Sequence, residues 1–294
     1  MLPNDRQPRH GGVVVFGLVV WMLAATASAQ GDAQRGSYIA KAAGCVGCHT
    51  EAKEGAPAYA GGRALKTPFG TFYGPNITPD PQAGIGRWTE ADFVRAMRHG
   101  ERRDGSNYFP AFPYPSFTGM TDQDLRDLWA YLRSLPANSR ANQPHDLGFP
   151  YGWRILVTPW KWMFFTPGPL AADPQLAPAV ARGRYLVQAL AHCGECHTPR
   201  NFLGGLRKDR FLAGGKGPDR KSVPNLTPTR LKKWSDGELK DFLTTGMYSD
   251  GDIPAEAMAE VIRNTTSQLT PQDLDAVIAY VRSLPPLPEE PKEK

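Results

Sequence analysis

Two copies of one five-residue string contain every cysteine of this 294-residue chain. The first copy, CVGCH, covers residues 45–49, and the second, CGECH, covers residues 193–197. In each copy two residues separate the cysteines, and a histidine directly follows the second cysteine. A pair of disulfides, a redox-active C-x-x-C pair or a zinc site would not require a histidine there. The sequence therefore indicates two equivalent sites that use both sulfurs and the histidine.

The spacing C-x-x-C-H is typical of covalent attachment of a c-type haem. Two thiols at this spacing can reach both vinyl groups of one porphyrin, and the histidine then supplies an axial nitrogen to the iron. We therefore predict two covalently attached haem c groups, one in each half of the chain. The predicted attachment residues are Cys45 and Cys48 for the first haem and Cys193 and Cys196 for the second, with His49 and His197 as axial ligands.

The N-terminal residues predict export. Arg6, Arg9 and His10 precede an apolar run that ends in Ala27-Ser28-Ala29, a small-x-small signal-peptidase site. A retained membrane anchor is the alternative, but the run is short for a span of about 20 residues. We predict a signal peptide at residues 1–29 and a mature chain in the periplasm. Association of that mature chain with the membrane surface is a further expectation.

The two halves of the chain resemble each other beyond the pentapeptides. PNITPD at 75–80 recurs as PNLTPT at 224–229, and the string at 120–136 recurs at 269–285. The matching strings keep their order at a nearly constant offset, which indicates a tandem domain duplication. The predicted units are a first domain at residues 30–136, an aromatic-rich connector at 137–178, a second domain at 179–286 and a disordered tail at 287–294.

Each half contains the pattern of three helices joined by long loops. The first helix leads into the pentapeptide, the second begins at Thr89 or Ser235 with a capping box, and the third begins at Thr121 or Thr270. Long loops normally count against a compact domain, but a haem can supply the apolar core that such loops surround. We therefore predict an all-α fold of two cytochrome c domains.

An iron held by histidine commonly takes methionine as its second axial ligand. In the second half the candidates are Met247 and Met258, and Met258 is preferred because it lies in the loop before the last helix. In the first half the corresponding loop, YFPAFPYPSFTGM, has only Met120, at its end. We prefer Met120 for this reason, while Met97, His99 and an open iron remain alternatives.

A ligating imidazole needs an acceptor for its other ring N–H. The carbonyl groups of Pro75 and Pro224, each downstream of one pentapeptide, are candidates for this acceptor. The alternative is that the two Pro-Asn strings simply form turns.

The connector contains the string FPYGWRILVTPWKWMFF. Its aromatic side chains either form a docking surface for a partner or membrane, or cover the haem edges and the seam between the domains. We prefer the second alternative. The aromatic residues concerned are Trp153, Trp160, Trp162, Phe164 and Phe165.

With GIGRWTEADFVRAMRHG and HCGECHTPRN added, the sequence resembles dihaem and multihaem class I cytochromes c. It is most similar to the cytochrome c subunits of periplasmic quinoprotein alcohol dehydrogenases and related membrane-associated dehydrogenases. This resemblance implies transfer of single electrons from a dehydrogenase subunit to quinone, an oxidase or another cytochrome. Two features depart from the alcohol-dehydrogenase type, which usually carries three haems and commonly has Met where Phe112 stands here.

The missing methionine leaves a second function open. A dihaem enzyme, peroxidase-like or thiosulfate-oxidising, would use an open first haem iron with acid–base groups close by. The sequence places no carboxylate or histidine over such an iron, so we predict an electron carrier and no catalytic residues. The formal charge of +5 is a mild excess that does not indicate a nucleic-acid partner.

Overall fold

The computed structural model describes residues 30–217, 221–248, 251–254 and 256–289. The predicted signal peptide at residues 1–29 and the end of the predicted tail lie outside the described residues. The chain is mostly helical, and its two halves repeat one arrangement of helices. Within the described residues, no helix has the length and apolar character required to cross a membrane.

Twelve α-helices occur in the described residues. Those of the first half are α1 (Ala33–Ala42), α2 (Cys45–His49), α3 (Glu90–His99), α4 (Tyr114–Phe117) and α5 (Asp122–Ser134). The connector contributes α6 (Val157–Phe164). Those of the second half are α7 (Pro178–Tyr185), α8 (Gly194–His197), α9 (Pro228–Leu231), α10 (Asp236–Thr245), α11 (Glu256–Asn264) and α12 (Pro271–Ser283).

Two small antiparallel sheets accompany the helices, so the fold is mostly rather than purely helical, and the prediction of an all-α fold omitted them. In the first sheet β1 pairs with β2, and β2 pairs with β3, which belongs to the connector. Strands of two to four residues are too short to show alternation of apolar and polar residues. The strands are β1 (Ala64–Thr67), β2 (Gly70–Tyr73), β3 (Asp146–Leu147), β4 (Gly215–Lys216) and β5 (Ser222–Val223).

The predicted helix starts are confirmed. Thr89 with Asp92 caps α3, and Ser235 with Glu238 caps α10, each through a reciprocal capping box. The threonines at 121 and 270 precede α5 and α12, and their side chains accept the amide of the residue three positions later. The local sequence therefore sets the N-terminal ends of these four helices.

In each half the first helix crosses the last helix at a glycine. A Cβ atom on Gly36 of α1 would overlap the carbonyl group of Asp127 on α5. A Cβ atom on Gly183 of α7 would overlap the carbonyl group of Ala276 on α12 in the same way. The backbones therefore approach more closely than any residue with a side chain would permit.

The two halves differ in one irregular segment. Eight residues lie between Gly36 and Cys45, whereas nine lie between Gly183 and Cys193. The second copy contains a π-helical segment at Leu186–Leu190, directly after α7. Because a π-turn holds one more residue than an α-turn, this segment accommodates the extra residue.

The two halves exchange equivalent hydrogen bonds across their interface. The Tyr38 hydroxyl of α1 donates to Asp273 of α12 at 2.6 Å and accepts the amide of the capping threonine of α12 at 3.2 Å. The Tyr185 hydroxyl of α7 donates to Asp124 of α5 at 2.5 Å and accepts the amide of the capping threonine of α5 at 3.0 Å. Each first helix is thus attached to the last helix of the opposite half.

Asp273 makes this interface sensitive to acid. Burial alone would raise the pKa of Asp273, but hydrogen bonds from Arg182 and Tyr38 hold that pKa below its usual value. A depressed folded-state pKa contributes stability above the unfolded value of about 3.9, and this contribution is lost as the pH falls through the folded pKa. We expect Asp273→Asn to lower the thermal unfolding midpoint at neutral pH and to flatten its decline between about pH 5 and pH 2.

Asp275→Asn on the same helix is the matched control, because Asp275 forms an exposed pair with Lys240. Circular dichroism melts of the holoprotein across the pH range make the comparison. Equal flattening in both variants would contradict the role assigned to Asp273.

Candidate functional site

Each pentapeptide forms one short helical turn that places its three chemical groups on one face. The two cysteines are three positions apart and the histidine follows at the fourth, which is the spacing of one helical face. Gly44, with a φ of 62°, precedes α2, and His192, with a φ of 42°, precedes Cys193 at the start of α8. A left-handed residue thus turns the chain from the first helix of each half into the pentapeptide.

The four thiols are half-buried and form no disulfide. Burial, followed by the neighbouring Cys48, raises the pKa of Cys45 to about 12, and burial with Cys196 raises the pKa of Cys193 to about 12. Burial also raises the pKa of Cys48 to about 11, and Cys196 of the opposite half adds to this increase. The thiols therefore lie in the apolar surroundings that a porphyrin would require.

Each predicted axial histidine is held by the predicted proline carbonyl. The Nδ1 atom of His49 lies 2.7 Å from the Pro75 oxygen, and Nδ1 of His197 lies 2.8 Å from the Pro224 oxygen. Burial lowers the pKa of both histidines, and the carbonyl contact opposes that shift. A neutral imidazole that donates from Nδ1 keeps the Nε2 lone pair for a metal. The donor set in each half therefore fits a c-type haem.

The residues that hold the proline loops were not predicted. Asn76 and Asn225 are 2% and 0% exposed, and their amide groups donate to Asn138 O at 2.7 Å and to Leu287 O at 2.9 Å. The Oδ1 atom of each asparagine accepts the amide of the threonine two residues later, at 2.9 Å and 2.7 Å. These bonds fix the carbonyl before each asparagine, and the repeated PN-x-TP string was the signal for them.

Met120 lies immediately before the capping residue of α5 and is completely buried. Its carbonyl oxygen accepts from the buried guanidinium of Arg98 at 2.7 Å, and the same guanidinium contacts the Thr118 carbonyl and Asp122. The backbone around Met120 is therefore fixed. The alternative Met97 is also buried, on α3, whereas His99 is exposed at the end of that helix.

Met258, which we predicted to lie in a loop, instead lies in the first turn of the helix α11 and is half-buried. The same helix lies against the attachment turn of the other half. The side-chain amide nitrogen of Asn264 is 3.3 Å from the position that a Cβ atom added to Gly47 would take. Glu260 of α11 also pairs with Arg63 at 2.6 Å. The helix that carries the predicted ligand of the second haem thus also covers the first pentapeptide.

The first half makes the equivalent contact with the pentapeptide of the second half. Ser116 of α4 donates to Glu195 in the second pentapeptide at 2.9 Å, and the Phe117 ring lies 5.5 Å from the His192 ring. The loop before the last helix of each half therefore packs on the attachment turn of the other half. The two pentapeptides are close enough for Cys196 to act electrostatically on Cys48.

Phe112, where the resembling family commonly has Met, belongs to a cluster of aromatic rings. Its ring centroid lies 5.4 Å from that of Tyr108, 6.2 Å from that of Tyr114 and 5.9 Å from that of Phe117. No sulfur atom stands at this position of the first half.

The connector aromatics divide into two groups. The Phe165 ring packs on Tyr114 at 5.0 Å, and Phe164 lies against Gly205 of the second half, so these two rings cover the domains as we predicted. Trp153 and Trp162 are 56% and 82% exposed and do not lie in the seam between the domains.

A duplicated helical fold, in which each half offers two thiols and a positioned histidine, defines a dihaem class of protein. The model of the cytochrome c family matches residues 33–136 and again residues 180–285. This chain belongs to the cytochrome c family, with two domains of that family in tandem. Two such domains imply haem c as the cofactor.

The relatives include a dihaem cytochrome and cytochrome subunits of dehydrogenases. A "Diheme cytochrome c-type" protein of Cereibacter sphaeroides is 46% identical over 259 residues, which cover 87% of this chain and 86% of that protein. The "Alcohol dehydrogenase (quinone), cytochrome c subunit" of Gluconacetobacter polyoxogenes is 40% identical over 289 residues, 91% of this chain and 60% of that subunit. The "Fructose dehydrogenase cytochrome subunit" of Gluconobacter japonicus is 39% identical over 258 residues, 85% of this chain and 52% of that subunit.

Proposed function

We propose that this chain is a periplasmic dihaem c-type cytochrome that relays single electrons from a dehydrogenase to a respiratory acceptor. In this proposal Cys45 and Cys48 attach one haem and Cys193 and Cys196 attach the other, covalently. Bound haem iron supplies a one-electron redox couple to each half. The proposal of a dehydrogenase donor rests on the names of the relatives, and the periplasmic location rests on the N-terminal sequence.

The observation that carries this proposal is the packing of each attachment turn against the opposite half. Glu195 with Ser116 on one side and Gly47 with Asn264 on the other keep the two turns at a fixed separation. Both histidines are hydrogen-bonded at Nδ1, so their rings are held in one orientation. This rigidity favours electron transfer between two redox centres, because few surrounding atoms then move when either centre gains or loses an electron.

The direct test combines a purified quinoprotein dehydrogenase, freed of its own cytochrome, with this holoprotein. Addition of the alcohol substrate should reduce both haems, in proportion to substrate and only with the dehydrogenase present. Failure of every such dehydrogenase to reduce either haem, in a holoprotein that chemical reductants do reduce, would contradict the proposed donor.

Met258 is the proposed sixth ligand of the second haem. Because a methionine ligand raises the reduction potential, Met258→Leu should lower the potential of one haem and leave the other unchanged. Spectroelectrochemical titration measures both potentials in one experiment. Met247→Leu is the matched control, since Met247 is 55% exposed and should leave both potentials unaltered. If Met247→Leu alone shifted a reduction potential, Met247 and not Met258 would be the sixth ligand of the second haem.

Met120 is the proposed sixth ligand of the first haem. We expect Met120→Leu to lower the potential of the haem that Met258→Leu does not affect, and to open that iron to carbon monoxide in the reduced state. Met97→Leu makes the same change at another buried methionine of the first half, and it should leave the spectrum and potential unchanged.

A dihaem enzyme with an open first iron is the second candidate function, and the phenylalanine at position 112 favours it. Rapid carbon monoxide binding by the reduced wild-type protein, with peroxide consumption, would support this function and contradict Met120 as a ligand. Slow binding that becomes fast only in Met120→Leu would support the electron carrier.

A further inference from the structure

One ion pair between the two halves lies on the first attachment turn, Cys45–His49. The Nη2 atom of Arg63, in the first half, lies 2.6 Å from Oε2 of Glu260, on α11 of the second half. The other carboxylate oxygen, Oε1, is 3.8 Å from the position that a Cβ atom added to Gly47 would take. The carboxylate therefore lies between the arginine and the middle of the pentapeptide.

Neighbouring groups largely cover this ion pair. The side chains of Arg63 and Glu260 are 23% and 24% exposed. The side-chain amide of Asn264, about one helical turn further along α11, contacts the same glycine of the pentapeptide. Partly buried charges are screened less by water and salt than exposed charges are. Both charges therefore act strongly on the groups close to them.

Both charges reach the sulfur of Cys48. Burial is the main cause that raises the pKa of this thiol, and the Glu260 carboxylate raises that pKa further, whereas the Arg63 guanidinium lowers it. These opposite effects are those expected of two opposite charges that act on one atom. Once Cys48 is bonded to the porphyrin, the same two charges act on the first haem.

The second attachment turn carries a carboxylate of its own. Glu195 stands at the third position of CGECH, where the first pentapeptide has Gly47. The Glu195 carboxylate pairs with Arg200 of the same half at 2.7 Å. One repeat length before Glu260, the first half has Ala111. Both carboxylates thus belong to the second half, and the first turn receives its carboxylate across the interface.

We propose that the ion pair of Glu260 and Arg63 controls the reduction potential of the first haem from the opposite half. The carboxylate favours the oxidised haem, which carries one more positive charge than the reduced haem, and the guanidinium favours the reduced haem. Loss of either charge leaves the other uncompensated beside the haem. This control rests on the proposed function, because it requires a covalent haem on each attachment turn. It gives residues that are not iron ligands a role in the driving force for electron transfer between the haems.

The test is a redox titration of the holoprotein followed by NMR. Haem methyl signals, assigned through their contacts with residues of one half, report the potential of the haem in that half alone. Glu260→Gln should raise the potential of the first haem, and Arg63→Gln should lower it. Each variant should change the ratio of reduced to oxidised first haem at a fixed applied potential by at least about threefold. This change corresponds to about 28 mV, since a tenfold change is 59 mV for a one-electron couple.

Shifts of opposite sign distinguish an effect of charge from a loosened contact between the halves. The double variant Arg63→Gln, Glu260→Gln lacks both charges and should return the potential of the first haem close to the wild-type value. Loss of packing alone would shift all three variants in one direction. Glu256→Gln is the matched control, because Glu256 is exposed in the first turn of the same helix. This control should leave both potentials unchanged.

In a chain that carries two covalent haems, shifts of the same sign in Glu260→Gln and Arg63→Gln, or no shift in either, would overturn this proposal alone. Larger shifts at the second haem than at the first would also overturn it, because Glu260 would then act on the haem of its own half. Failure of the proposed function gives a different result, since a wild-type chain with the mass of the bare polypeptide has no haem to titrate.

Discussion

The double variant Cys193→Ala, Cys196→Ala is expected to carry one haem per chain where the wild type carries two. Both thioether bonds of the second half are absent in this variant, so its haem is no longer attached covalently. Mass spectrometry of the denatured chain should show the mass of one haem above the polypeptide. The visible absorption per chain should fall to about half, because the proposed sites are equivalent.

Loss of the second haem should also destabilise the fold of the second half. The haem is expected to supply most of the apolar core that the long loops of each half surround, and a domain has only about 5–15 kcal/mol of stability to lose. We therefore expect the second half to unfold and the helical circular dichroism to decrease by close to half. The double variant Cys45→Ala, Cys48→Ala is the reciprocal experiment and should leave the second haem attached.

His99→Gln is the control for both double variants, because His99 is exposed at the end of α3. It should keep two haems with unchanged spectra. If the wild-type chain itself had the mass of the bare polypeptide after expression with the haem attachment machinery, the proposal of covalent haem would fail. If a double variant kept two covalent haems, the assignment of those cysteines would fail.

The sequence predicts the local features of the fold well, because those features depend on neighbouring residues. Capping boxes at Thr89 and Ser235 are complete within four residues, so the helix starts are correct. The sequence makes the carbonyls of Pro75 and Pro224 candidate histidine partners, because the same dipeptide follows both pentapeptides, and the structure confirms them over the alternative of simple turns. Duplication within one chain here provides information that an isolated copy would lack.

The contacts between the halves could not be predicted. Tyr38 and Asp273 are far apart in the sequence, and neither carries a local signal for its partner. The structure shows that the halves exchange equivalent hydrogen bonds, because Tyr185 of the second half bonds to Asp124 of the first half in the same way. For Trp162 the sequence leaves an exposed docking surface and a covered seam as alternatives, because apolar residues usually indicate burial and only the tertiary structure shows that this side chain is exposed.

Gly183→Ala should destabilise the protein, although the same change in most helices has the opposite effect. Alanine has a higher helix propensity than glycine by about 1 kcal/mol, which would favour the variant. At this position the added Cβ overlaps the carbonyl group of Ala276, so α7 and α12 must move apart along their shared contact. Overpacking of this kind typically costs about 1–3 kcal/mol and sometimes more, which outweighs the gain in propensity.

We expect the upper end of that cost, about 3 kcal/mol, because the overlapped atom belongs to helical backbone, which cannot move aside as a flexible side chain can. After the gain of about 1 kcal/mol in helix propensity, the expected net loss is about 2 kcal/mol. A fall in the thermal midpoint of roughly 4–8 °C follows for a chain of this size. Gly36→Ala should behave alike, since its Cβ would overlap the carbonyl group of Asp127. The control is Gly237→Ala in α10, where the nearest atom to the new Cβ is 3.9 Å away and the midpoint should stay the same or rise. Equal midpoints for Gly183→Ala and Gly237→Ala would show that the two helices can separate without loss. In that case close packing of the first and last helices would not be what holds each domain together.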